Sequence, residues 1–271
     1  MSRIDYEAEY NNRARVPEHP DIMRGWTEDA AAYRAEAGSR YTAHRYGGSE
    51  REVIDLFEPE RPQGRTVVFV HGGYWQALDR SSFSHLAGGL NSHGIAVAMP
   101  GYELCPSVRV GDIVDQIRAA CRALADRGPL VVAGHSAGGH LAACMLATDW
   151  AALGAPAGLV PAAYAISGLF DLKPLLTTSI NTALRMDEAE AERLSPLLWT
   201  PPAGRRLDAV VGGNESADYL RQSRTIADRW GAAGVETRYE AVPGANHFTV
   251  IAPLADPGSA MTRRVLDLVR A

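Results

Sequence analysis

Cysteine is scarce, and the number is odd. Cys105, Cys121 and Cys144 are the whole complement of a 271-residue chain, with no C-x-x-C spacing. A disulfide framework and a cysteine zinc site are therefore not expected, and a reducing cytoplasm is the default compartment. Long apolar runs are missing too. No stretch approaches the roughly 20 residues a transmembrane helix needs, and Met1 to Glu7 contains no apolar segment of the kind a secretory leader requires. Positive charge is not concentrated anywhere. The 27 Lys and Arg are outnumbered by 32 Asp and Glu, for a net charge of −5, so neither nucleic acid nor an anionic membrane is an expected partner. The eight histidines lack ligand spacing, and neither a metal nor a cofactor is expected. There are no repeats, low-complexity tracts or linkers.

With 46% hydrophobic and 22% charged residues, the chain reads as one α/β domain, 1–271. Residues 1–24 are polar and read as an arm that wraps the domain. A helix is expected from Trp26 to about Arg40, then a hairpin, Tyr41 to Tyr46 and Arg51 to Phe57, across Gly47-Gly48-Ser49. From there strands alternate with helices. The strands are Thr66–Val70, Ile95–Met99, Leu130–Ala133, Leu159–Ser167, Leu207–Val211 and Val235–Val242. The helices fall within Ser81–Gly94, Val108–Arg127, Ala217–Ala233 and Pro253–Arg270. That alternation predicts a mostly parallel central sheet with helices on both faces. Residues 168–202 interrupt it and read as a small cap above the strand ends. The acidic run Asp187 to Glu192 is expected to face solvent, and Leu175, Leu176, Ile180, Leu184 and Met186 to face the pocket or the body of the domain.

The most informative stretch is Gly134-His135-Ser136-Ala137-Gly138. A short β-branched run precedes it and a small, apolar helical run follows. Strand, sharp turn and helix are the context that turns G-x-S-x-G into a nucleophile elbow, with Ser136 exposed at the turn and the Ala137 N–H at a helix start. His71-Gly72-Gly73-Tyr74-Trp75 follows another buried strand. Its two bare glycines leave N–H groups free to meet an oxyanion, although a glycine turn with a packed Tyr-Trp pair would look similar. A serine nucleophile needs a base. Only His247, in Pro243-Gly244-Ala245-Asn246-His247-Phe248, lies in a loop after the last strand. The remaining triad member should follow Leu207–Val211, where Glu215 and Asp218 compete. Glu215 is favoured because it stands nearer the strand end; Asp218 falls in the first turn of the next helix. His71 and His135 are expected to brace their loops, and His140 to be packed.

Three segments carry a resemblance: His71-Gly72-Gly73-Tyr74-Trp75, Gly134 to His140, and Ser167-Gly168-Leu169-Phe170-Asp171-Leu172-Lys173-Pro174-Leu175. With Ser195-Pro196, Arg221-Gln222-Ser223, Pro243 to Phe248 and Tyr10-Asn11 with Arg13 and Pro17, they are similar to the kynurenine formamidase (arylformamidase) branch of the α/β-hydrolase fold, over most of the chain. The resemblance implies a serine hydrolase that cleaves N-formylkynurenine to kynurenine and formate without a cofactor. Animal members resemble this chain with Asp at the place of Glu215. Under this reading Ser136, His247 and Glu215 form the triad. Gly72, Gly73 and Ala137 hold the oxyanion, and Tyr74, Trp75, Phe170 and Phe248 are candidates to wall the aryl pocket. Phe170 is expected nearest the ring, and Asp171 is expected to anchor a turn. The alternative is a carboxylesterase with the same machinery; a non-catalytic binding protein on this fold is the third reading. A small-molecule amide or ester is the expected partner, and the sequence leaves a homodimer among the allowed oligomeric states.

Overall fold

The computed structural model describes residues 4–271. Its eight strands are β1 (Tyr41–Arg45), β2 (Val53–Phe57), β3 (Thr66–Val70), β4 (Ala96–Pro100), β5 (Leu130–His135), β6 (Ala162–Ile166), β7 (Arg206–Gly212) and β8 (Glu236–Val242). They form one sheet in the order β1-β2-β4-β3-β5-β6-β7-β8. The first two strands pair antiparallel, β2 runs antiparallel to β4, and every later pairing is parallel. Ten α-helices surround it: α1 (Tyr6–Tyr10), α2 (Asn12–Arg15), α3 (His19–Ala37), α4 (Ala87–Asn91), α5 (Val110–Ala123), α6 (Ala137–Ala147), α7 (Asn181–Leu184), α8 (Glu188–Arg193), α9 (Ala217–Ala232) and α10 (Ala260–Arg270).

The central strands are buried on both faces, which is why they read as unbroken β-branched runs. Their side chains still alternate. Val68, Val70 and Val132 enter the core under α5, α6 and α9, whereas Val67, Phe69 and Val131 enter the core under α3 and α10. Helix α5 shows the matching 3.6-residue pattern, burying Val110, Ile113, Val114, Ile117, Ala120 and Cys121. Helix α6 is buried from Ala137 to Leu146, which explains its small, apolar composition.

Register decides where the functional loops emerge. Val70 pairs with Gly134, His135 with Ile166, Ile166 with Val210, and Gly212 with Val242. The turns after β3, β5, β6, β7 and β8 therefore leave one edge of the sheet together, where ligand crevices of parallel sheets form.

Two expectations are corrected. The helix expected from Trp26 starts earlier, at His19, and the arm of residues 1–24 also carries α1 and α2. Pro20 suits a first helical turn, and Tyr10 is completely buried. Residues 1–3 of that arm lie outside the described residues. The acidic run is not wholly solvated either. Glu190 is buried and ion-paired to Arg109, because α8 packs Glu190 and Ala191 against the body. Residues 168–202 otherwise consist of short helical turns, with Leu175, Leu184 and Met186 in the core.

Candidate active site

The turn after β5 is sterically extreme. Ser136 has φ 58° and ψ −118°, a region that costs a non-glycine residue about 1–3 kcal/mol. The flanking glycines are required by close packing. A Cβ at Gly134 would meet the Gly138 carbonyl oxygen at 2.1 Å, and one at Gly138 would meet the Val70 carbonyl oxygen at 1.9 Å. The Ser136 N–H donates to the Ile166 carbonyl (2.8 Å), pinning the turn to β6. α6 starts immediately after, at Ala137.

Beside this turn runs the loop after β3. A Cβ at Gly72 would lie 2.9 Å from the Ser136 Cβ, so the bare backbone passes against the serine. Gly73 follows with φ 108°. No described residue accepts a hydrogen bond from the N–H groups of Gly72, Gly73 or Ala137. His71 braces the loop by donating from Nδ1 to the Gly72 carbonyl (2.8 Å), and the Tyr102 hydroxyl donates to the His71 carbonyl (2.9 Å). Burial pushes the His71 imidazole down to about 4, so it stays neutral.

The loops after β7 and β8 meet next to the elbow. His247 Nδ1 donates to Glu215 Oε2 at 2.6 Å, and both residues are buried. That bond fixes the tautomer and leaves Nε2 without a proton. The second carboxylate oxygen of Glu215 accepts from the Gly212 N–H (2.7 Å) and from the Ser167 hydroxyl. Ser167 itself is held at φ 52° at the end of β6. His135, between the elbow glycine and the serine, donates from Nε2 to the His247 carbonyl (2.8 Å). Its imidazole is kept well below the usual histidine range, first by burial and then by proximity to His247. His247 is thus gripped from both ends of its residue.

Asp218 has a different set of partners. Its carboxylate accepts from the Tyr10 hydroxyl of α1 and from Arg221 Nε (2.5 Å), and its backbone N–H donates to Glu9 (2.8 Å). It ties α1 to α9, and the His247 imidazole pairs with Glu215 instead.

Ser136 and His247 open onto a cavity of about 500 Å³. Tyr74 and Phe248 line it, as the sequence suggests. Trp75 and Phe170 do not. Both are completely buried: Trp75 packs edge-on against His140, ring centroids 5.0 Å apart, and Phe170 packs against Gly168 in the core. The apolar part of the wall comes instead from Met23, Trp26, Leu78 and Ile180. His140 is packed as expected, donating to the Leu194 carbonyl at 2.8 Å, with its imidazole lowered to about 4 by burial. Among the described residues no three His, Cys, Asp or Glu side chains are grouped as metal ligands.

Sequence reading missed the N-terminal contribution. Asn12 of α2 is buried and lines the cavity, and its Nδ2 donates to the Tyr74 and Tyr219 hydroxyls, each at 3.1 Å. Tyr219, on α9, packs its ring 4.8 Å from that of His247. No local signal separates a polar residue in an arm from one folded into a site.

Strand order, elbow and loop placement define an α/β hydrolase, and residues 67–251 match the family model described as the alpha/beta hydrolase fold. Within that class the chain belongs to the kynurenine formamidase-like α/β hydrolases. It is 32% identical over 235 residues to a kynurenine formamidase of Danio rerio, covering 83% of this chain and 80% of the fish protein. A kynurenine formamidase of Drosophila melanogaster is 31% identical, over 80% of this chain and 77% of the fly protein. Among solved structures, a Silicibacter sp. TM1040 protein described provisionally as a thioesterase superposes with a TM-score of 0.87 at 37% identity. The match spans 99% of this chain and all of that one.

Proposed function

We propose that this hydrolase is an arylformamidase, converting N-formylkynurenine or a close aryl formamide to the aryl amine and formate. The observation that carries the reading is the hydrogen-bonded His247–Glu215 pair beside a serine on a strained elbow, in a chain related to kynurenine formamidases. Ser136 Oγ attacks the formyl carbon while its proton passes to His247 Nε2. The negative oxygen of the tetrahedral intermediate is held by the N–H groups of Gly72, Gly73 and Ala137, which have no other acceptor. Collapse breaks the C–N bond, and His247 returns the proton to the departing nitrogen. A water, deprotonated by His247, attacks the formyl-enzyme, and formate leaves as Ser136 is reprotonated. Glu215 keeps the imidazole in the productive tautomer and stabilises the imidazolium. The formyl group fits a tight acyl site beside Gly72, while Trp26, Phe248 and Ile180 offer an apolar wall to the aryl portion.

Residues 168–202 act in this reading as a cap, since Ser179, Ile180 and Ala183 reach the cavity. Three free, buried thiols suit a reducing cytoplasm. The 37%-identical Silicibacter protein keeps a second reading in view, an esterase or thioesterase using the same residues. Steady-state kinetics with N-formylkynurenine and p-nitrophenyl acetate separate the two. The proposal expects kcat/KM to favour the formamide; a clear preference for the ester with negligible formamide turnover would reject it. Substrate binding with no hydrolysis of either would point to the non-catalytic alternative.

A further inference from the structure

The polar cluster around Asn12 can be resolved proton by proton. The Tyr74 hydroxyl lies 2.7 Å from the Tyr10 carbonyl, which can only accept, so Tyr74 donates there. The Tyr74 and Tyr219 hydroxyls stand 2.7 Å apart. One of them must donate, and since the Tyr74 proton is already engaged, Tyr219 donates to Tyr74. Asn12 faces both hydroxyl oxygens at 3.1 Å. It must present its amide nitrogen to them, because a carbonyl oxygen there would meet two oxygens with no proton to give. The side-chain orientation is thereby fixed. Every proton in the cluster is taken up within it. Asn12 Oδ1 accepts no hydrogen bond from any described residue, and Asn12 lines the cavity with Ser136 and His247.

We propose that Asn12 Oδ1 accepts a hydrogen bond from the scissile N–H of the substrate and so makes the site selective for secondary amides over esters. This rests on the formamidase reading above. With its amide protons engaged, Asn12 has only an acceptor to offer the cavity, and an acceptor calls for a donor on the substrate. A formanilide carries one on the reacting nitrogen; the corresponding ester oxygen carries none. The bond matters most in the tetrahedral intermediate. There the nitrogen has become pyramidal, and its lone pair must point at the proton on His247 for the C–N bond to break. An acceptor that holds the N–H on the side of α2 turns the lone pair toward His247. An ester oxygen has a second lone pair and needs no such help.

The test uses formanilide and phenyl formate, which differ only in NH against O, the latter corrected for spontaneous hydrolysis. The readout is the ratio of the two kcat/KM values. Asn12→Leu is expected to lower that ratio about tenfold or more, the worth of one well-placed hydrogen bond. Asn12→Asp keeps an acceptor but loses both donors. It should slow both substrates while holding the ratio within about threefold of wild type, the same hydrogen bond being retained. An equal loss on both substrates in Asn12→Leu, or the same fall in ratio in both variants, overturns the inference and assigns Asn12 to the support of Tyr74 and Tyr219. A loss confined to N-formylkynurenine, with formanilide untouched, also overturns it, because the acceptor would then meet the substrate's ammonium. If wild type cleaves phenyl formate and never formanilide, the formamidase reading itself fails, an outcome recognisable before any variant is made.

Discussion

At the scale of single residues the site separates two carboxylates that stand three positions apart. Glu215 takes hydrogen bonds from His247, Gly212 and Ser167; Asp218 takes them from Tyr10 and Arg221. Glu215→Gln should therefore lower kcat by about three to four orders of magnitude, because an amide disturbs the imidazole tautomer and cannot balance the imidazolium. Asp218→Asn should change kcat only a few-fold and instead cost about 1–3 kcal/mol of stability, by weakening a buried polar contact. Parallel kinetics and urea denaturation of the two variants check this, and the reverse pattern would move the acid to Asp218. Ser136→Ala is expected to lower kcat by about four orders of magnitude or more, with the residue of activity coming from the oxyanion donors and binding. Near-normal turnover in that variant would end the serine mechanism.

At the scale of elements, Phe170 illustrates how a motif can be right and its role wrong. It follows a β-strand at the edge where the site lies, and its position in the sequence suggests an aryl contact. The structure turns it into the core, where its backbone N–H donates to Gln222 Oε1 (2.6 Å) and its ring packs on Gly168. Phe170→Ala should thus create a cavity costing about 3–5 kcal/mol and lower Tm on the order of 10 °C, measured by differential scanning calorimetry. KM for formamide and ester substrates should move together or not at all. A selective rise in KM for the aryl formamide with Tm unchanged would restore Phe170 to the pocket. The cavity wall is completed by Asn12 of α2 and by Met23 and Trp26 of α3, a helix that begins inside the segment read from sequence as an arm that wraps the domain.

For the whole molecule, three buried histidines predict how stability responds to acid. His71 and His140 are lowered to about 4 by burial, and His135 is lowered well below the usual value by burial and by His247. An unfolded chain takes up protons at these residues near pH 6.5, whereas the folded protein refuses them at His71 and His140 until about pH 4 and holds His135 neutral well below the usual histidine range. Within that window the unfolded state binds more protons, so stability rises with pH and is lost as pH falls from about 6.5 toward 4. Each histidine contributes up to about 1.4 kcal/mol per pH unit. Urea midpoints at pH 7, 6 and 5 should fall in sequence, and a flat profile would show that these imidazoles are solvated.

The sequence alone determined the parallel sheet, the elbow at Ser136, the bare Gly72-Gly73 turn and the loops carrying His247 and Glu215. Those features depend on local patterns: β-branched runs two-sidedly buried, glycines where the backbone leaves no room for a Cβ, and the fixed order in which a doubly wound chain delivers its loops. Tertiary structure decided which of two nearby carboxylates faces His247, that Trp75 and Phe170 belong to the core, and that Asn12 lines the cavity. Each of these depends on groups far apart in the chain. Asn12 meets Tyr219 across 207 positions, and Tyr10 meets Asp218 across 208. A hydrogen bond between such distant partners leaves no periodicity in the sequence, because its geometry is set by how whole elements pack and not by the residues that flank either end.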